Sequence, residues 1–173
     1  SGALTPIDTP PGLIPIGLTM LRSGDVFVSG TANCGVLRIP SFAIVWSPCT
    51  YYPVPTTLAD GRLLILELAG VGARVCDPIS SVCEWLDGVP DGLQRTRGVR
   101  MLDGRIAFLG TDTLVGAQTV HLYDPATRAF QTLPSTSPAR TKYSAALLPN
   151  GDVLFAGGTD MLCTPLSSAQ ILS

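Results

Sequence analysis

"LLPNGDVLFAGG" (147–158) places an apolar run, an Asn-Gly step, a second apolar run and a glycine pair in one line. Taken alone it fits a glycine-rich phosphate cradle or a β-hairpin. Three relatives decide between them: "MLRSGDVFVSG" (20–30), "LADGRLLILELAG" (58–70) and "MLDGRIAFLG" (101–110). A stretch that recurs four times is architecture rather than a single site. In each copy a Ser, Asp or Asn precedes a glycine, at Gly24, Gly61, Gly104 and Gly151. Such pairs supply the positive φ that a two-residue type I′ turn needs at both central positions, so the pattern predicts four tight hairpins. The flanking runs are apolar on both faces, as in strands packed between sheets.

The turn glycines are 37, 43 and 47 residues apart, a period in the propeller range. A second marker keeps phase with them. "VCDPISSVCEW" (75–85) aligns with "LYDPATRAFQT" (122–132), and in both the proline, Pro78 or Pro125, lies 26 residues before the turn glycine. Asp-Pro followed by small polar residues is a turn, so each unit carries a second hairpin and four strands. In the first unit "IVWSPCTYYP" puts Pro48 only 13 residues before Gly61, which predicts a missing strand or an irregular outer hairpin there.

Composition agrees with an all-β chain. Of 173 residues, 46% are hydrophobic and 14% charged, with 18 Gly and 15 Pro. The formal charge is −2 and the basic residues do not cluster, which excludes the footprint of nucleic-acid binding. No apolar run approaches the roughly 18 residues of a membrane span, and the opening "SGALTPIDTPPG" lacks the basic start and apolar stretch of a signal peptide. The expectation is a soluble chain, without membrane insertion, forming one domain over 1–173.

"HLYDPATRAFQTLPSTSPARTKYSAALLPNGDVLFAGG" (121–158) resembles the kelch repeat, whose pattern is an outer Tyr-Asp-Pro hairpin, a Pro-x-x-Arg approach and a Gly-centred inner hairpin ending in Gly-Gly. The resemblance covers most of the chain and fades towards the N-terminus. It implies a β-propeller of four-stranded blades with about four units. "SSAQILS" (167–173) and "ALTPIDTPPG" (3–12) have complementary phases, which allows a four-bladed ring closed by its two ends, while larger rings in the family allow part of a bigger one. Arg140, and Arg97 or Arg95 in the preceding copy, match the approach arginine. They are candidates for a channel mouth that takes an anionic ligand, or for hydrogen bonding to neighbouring carbonyls.

Cys76 stands where the next copy has Tyr123, and Cys83 where it has Phe130. If those aromatics face one another across the outer hairpin, a Cys76–Cys83 disulfide replaces them, the alternative being two buried thiols. Cys34 and Cys49 form a second candidate pair, with Cys163 a competitor for Cys34. A stapled hairpin points to an oxidising, extracellular or cell-surface location.

Chemistry is sparse. No Gly-Lys-Ser/Thr loop or Gly-x-Ser-x-Gly elbow occurs, and His121 is the single histidine, expected on a solvated face. Glu67 is either a carboxylate near the ring axis or an edge residue. No cofactor or metal is expected. The leading expectation is a non-enzymatic extracellular structural or interaction module, part of a surface or filament assembly, with protein partners or self-assembly and carbohydrate a further ligand class. Two alternatives stay open: part of a carbohydrate-active or copper-radical oxidase-like enzyme whose catalytic residues lie outside this chain, and an intracellular kelch adaptor.

Overall fold

The computed structural model describes residues 15–30, 33–39, 41, 43–48, 54–67, 72–93, 96, 98–111 and 116–173. Their regular structure is entirely β. The first sheet comprises β1 (Pro15–Met20), β2 (Val26–Gly30), β3 (Asn33–Leu37) and β4 (Ile44–Pro48). The second comprises β5 (Val54–Thr57), β6 (Leu63–Leu66), β7 (Ala73–Cys76) and β8 (Cys83–Leu86). The third comprises β9 (Val99–Arg100), β10 (Ile106–Thr111), β11 (Ala117–Asp124) and β12 (Ala129–Pro138). In the fourth, β13 (Ser144–Leu147), β14 (Val153–Ala156) and β15 (Ala169–Leu172) are described. All neighbours within a sheet are antiparallel, and each sheet is a blade of a β-propeller.

The repeat glycines take φ of 85°, 95°, 91° and 95°, yet the residues before them do not have positive φ. The turns are therefore not type I′. In each, the glycine amide donates to the carbonyl three residues back (Leu21, Leu58, Met101, Leu148), a type I turn closed by a left-handed glycine. Pro149 occupies the position after Leu148, where its fixed φ suits a type I turn. The Ser, Asp or Asn before each glycine has a different task from the predicted one. Its side-chain oxygen accepts the amide two residues on, as in Asp60 Oδ1 with Arg62 N at 3.0 Å and Asp103 Oδ1 with Arg105 N at 3.0 Å.

The outer hairpins hold the predicted register. Tyr123 pairs with Phe130, their ring centroids 4.9 Å apart, and Cys76 pairs with Cys83 in a disulfide. The first sheet corrects the sequence reading: it has all four strands, and its outer hairpin turns at 38–43, where Arg38 N donates to Ala43 O, rather than at Pro48. Pro48 lies at the end of β4.

The first strands of successive sheets abut, β1 against β5, β5 against β9 and β9 against β13. Among the described residues no comparable contact returns from β13 to β1. Three apolar cores fill the gaps between blades. Phe27 and Val36 meet Leu63 and Ile65; Leu64, Leu66 and Val75 meet Ile106, Phe108 and Tyr123; Ala107, Leu109 and Leu122 meet Val153 and Phe155. Successive residues of one strand thus serve opposite cores, which is why the strands are apolar on both faces. Residues 3–12, expected to pair with the C-terminal strand, lie outside the described residues.

Candidate ligand-binding cleft

The inner strands run side by side and end at the glycine turns, so their ends form the axial mouth of the arc. A cleft of about 420 Å³ opens there, lined by Met20, Arg22, Pro55, Thr57, Gly98 and Arg100. Hydrogen bonds across the blades hold its walls: Arg100 donates to Leu58 O at 3.2 Å, Thr57 Oγ1 to Met20 O and Thr56 Oγ1 to Gly98 O, both at 3.5 Å. Gly98 is required by packing, since a Cβ there would lie 2.5 Å from the Phe108 ring. The stem of Arg22 leans over the next turn, where a Cβ on Gly61 would sit 3.5 Å from its Cδ.

The cleft is cationic because the neighbouring carboxylates are already engaged. Asp25 pairs with Arg38, Asp60 with Arg62 and Asp103 with Arg105, at 3.0, 2.7 and 2.7 Å. The Ile39 amide, then Ser23 and Arg38, hold the Asp25 carboxyl below its ordinary range. Burial alone would push Asp60 up, but the Arg62 amide and guanidinium outweigh it and keep it low. Glu67 pairs with Arg74 at 2.9 Å and Glu84 with Arg128 at 2.6 Å. Among the described residues, Arg22 and Arg100 are the exposed arginines without a carboxylate.

The residues singled out from the sequence fall elsewhere. Arg140 is 2% exposed. Its guanidinium donates to Gly157 O at 2.6 Å, Ser168 O at 3.0 Å and Ser168 Oγ at 2.9 Å, so it ties β14 to the approach of β15 and does not face a ligand. Arg95 and Arg97 lie outside the described residues, as does Cys49, so the Cys34–Cys49 pair is not described. Cys34 is half-buried against the core between the first two blades, and the Cys163 thiol is exposed. His121 is not solvated: it is 2% exposed, with Nε2 2.8 Å from Thr119 Oγ1 and Nδ1 3.0 Å from Thr132 Oγ1. Its burial favours the neutral ring and lowers its pKa. Glu67, just after β6, is buried and pairs with Arg74 of β7. No group of three or more His, Cys, Asp or Glu placed to hold a metal occurs among the described residues.

No protein-family model matches the chain, and no curated protein matches it in sequence. Solved structures match it in fold. A catalytically inactive histidine variant of virginiamycin B lyase from Staphylococcus aureus, crystallised with quinupristin, superposes with a TM-score of 0.70 at 12% identity, covering 96% of this chain and 58% of the lyase. A selenomethionine form of that lyase gives 0.64 at 11% identity, covering 88% of this chain and 54% of the lyase. The extracellular domain of a protein described as a one-component system from B. thetaiotaomicron gives 0.60 at 11% identity, covering 89% of this chain and 23% of that one. The chain is a β-propeller in fold. It spans little more than half the length of the lyase. The expectation of a non-enzymatic chain is corrected by this comparison, since the propeller it most fully covers here is that of an enzyme. At this identity the likeness shows the fold, and no lyase residue carries over.

Proposed function

We propose that this propeller is an extracellular recognition module that takes the carboxylate of a partner in the axial cleft between Arg22 and Arg100. The observation that carries the reading is the pair of exposed arginines, free of carboxylates, on either side of a cleft of about 420 Å³ in a chain of net charge −2. Guanidinium groups bind carboxylates with two parallel hydrogen bonds, and the arginine fork fits that geometry. The Cys76–Cys83 disulfide supports an oxidising location and counts against an intracellular adaptor.

The test is titration calorimetry with a hexaglutamate peptide, against hexalysine as control, at low and physiological salt. Binding of hexaglutamate alone, weakened about tenfold by each of Arg22→Ala and Arg100→Ala, is the expected result. Equal binding by the double variant, or none by the native protein, overturns the assignment.

A further inference from the structure

Trp85 lies on β8, the outermost strand of the second blade, and is 63% exposed. Register places it beside Arg74 of β7, and Arg74 beside Ile65 of β6, so the three share the face turned to the first blade. The first blade covers Ile65 and leaves the indole at the rim. The Arg74 guanidinium stands over one side of the ring, 5.7 Å from its centre, and pairs with Glu67 at 2.9 Å. Gly72 gives the ring its seat, since a Cβ there would lie 3.1 Å from Cζ3. The other side of the indole is open. Its strand is held firmly: the Cys76–Cys83 disulfide ties β8 to β7 two residues before Trp85, and Arg128 of the third blade donates to Glu84 Oε2 at 2.6 Å and to Trp85 O at 3.4 Å. The fold does not require an aromatic ring at this place. At the same register the third blade has Thr132, whose hydroxyl meets Nδ1 of the buried His121 at 3.0 Å.

We propose that Trp85 is the stacking platform of a binding site for a neutral carbohydrate, the apolar face of a pyranose ring lying on the open side of the indole and the Arg128–Glu84 pair meeting its hydroxyls. Three features select this class of ligand. A rigid aromatic face with hydrogen-bonding groups at its edge matches a ring that is apolar on one side and hydroxylated round its rim. The charges beside it are already neutralised in pairs, Arg74 with Glu67 and Arg128 with Glu84, so the site offers directed polar groups without a net charge to draw an ionic ligand. A cation already stands behind the ring, which makes its open side a poor place for a second one. The apolar area is a single indole. Ile79 and Val82 are also exposed, but at the hairpin tip beyond the disulfide, so a large apolar partner finds no continuous patch.

The experiment is affinity electrophoresis of the full chain in native gels containing mixed-linkage β-glucan, arabinoxylan, galactomannan or amylopectin, with the anionic polygalacturonate beside them. The variants are Trp85→Ala, Trp85→Tyr and the pair Arg22→Ala with Arg100→Ala, each checked for folding by far-ultraviolet circular dichroism. The native protein is expected to be retarded by at least one neutral polysaccharide. Trp85→Ala should weaken that binding by about tenfold or more, Trp85→Tyr should keep most of it, and the arginine pair should leave it unchanged. In the native protein the same polysaccharide should shield tryptophan emission from quenching by acrylamide, a readout that needs no variant. Retardation by none of the neutral polysaccharides, by polygalacturonate alone, undiminished in Trp85→Ala, or without any shielding of the emission each overturns the proposal. The site is separate from the axial cleft: neutral polysaccharide binding without hexaglutamate binding sinks the cleft reading alone, and the reverse result sinks this one.

Discussion

Gly104 and Gly158 are both left-handed, with φ of 91° and 86°, and they are glycines for different reasons. A Cβ on Gly104 would meet nothing within 4 Å, whereas one on Gly158 would lie 2.2 Å from Thr141 O, the acceptor of the Thr159 amide. Gly104→Ala is therefore expected to cost the left-handed penalty alone, about 1–2 kcal/mol. Gly158→Ala should cost distinctly more, because backbone must move and the Thr141–Thr159 bridge must open. Urea denaturation of the two variants checks the order, and equal costs would show that close approach adds nothing. The sequence marked Gly104 through its repeat, but it marked Gly158 only as half of a pair. What makes Gly158 irreplaceable is a neighbour 17 residues away. Arg140 teaches the same lesson: its place in the motif was legible, but its role was fixed by carbonyls that converge on it only after folding.

At the scale of the hairpin, the second and third blades show one position filled by two chemistries. Tyr123 stacks on Phe130 at the site where Cys76 is bonded to Cys83. Alignment of the repeat with itself was enough to find this, because residues directly opposed in an antiparallel pair touch whatever their type. Closing so short a loop, with a sequence separation of 7, is expected to contribute about 2.5 kcal/mol by the chain-entropy formula. Reduction, or Cys76→Ser with Cys83→Ser, should lower stability by that order while leaving the β spectrum intact, as denaturation with and without reductant would measure. No change on reduction would mean that the bridge merely decorates a hairpin already formed. The first blade's outer hairpin was misplaced at Pro48 because its turn, around 38–43, lacks the Asp-Pro marker and is set by pairing of Leu37 with Ile44.

At the scale of the whole molecule, position along the arc decides the worth of a residue. Leu64 and Leu154 are the same residue at the same register, three after the turn glycine, yet one is sealed between two blades and the other faces outward. Leu64→Ala is expected to cost about 2–5 kcal/mol, as for other core truncations. Leu154→Ala should cost about 1 kcal/mol or less. Thermal or urea denaturation measures both, and a comparable loss at Leu154 would show that its face is covered within one chain. The cleft belongs to this scale as well. Arg22 and Arg100 come from different blades and carry no shared motif, so no sequence pattern could join them.

By itself the sequence determined the blade: four copies of a hairpin, strands apolar on both faces, and a cystine in place of an aromatic pair. These follow from local rules, the handedness of turns and the alternation of side chains along a strand, which act over a few residues and leave a periodic trace. Only the tertiary structure decided the type I geometry of the turns, the burial of His121 and Arg140, and the cleft that Arg22 and Arg100 line from different blades. Each of these depends on which blade lies beside which, and contacts between residues some 40 positions apart leave no period to read.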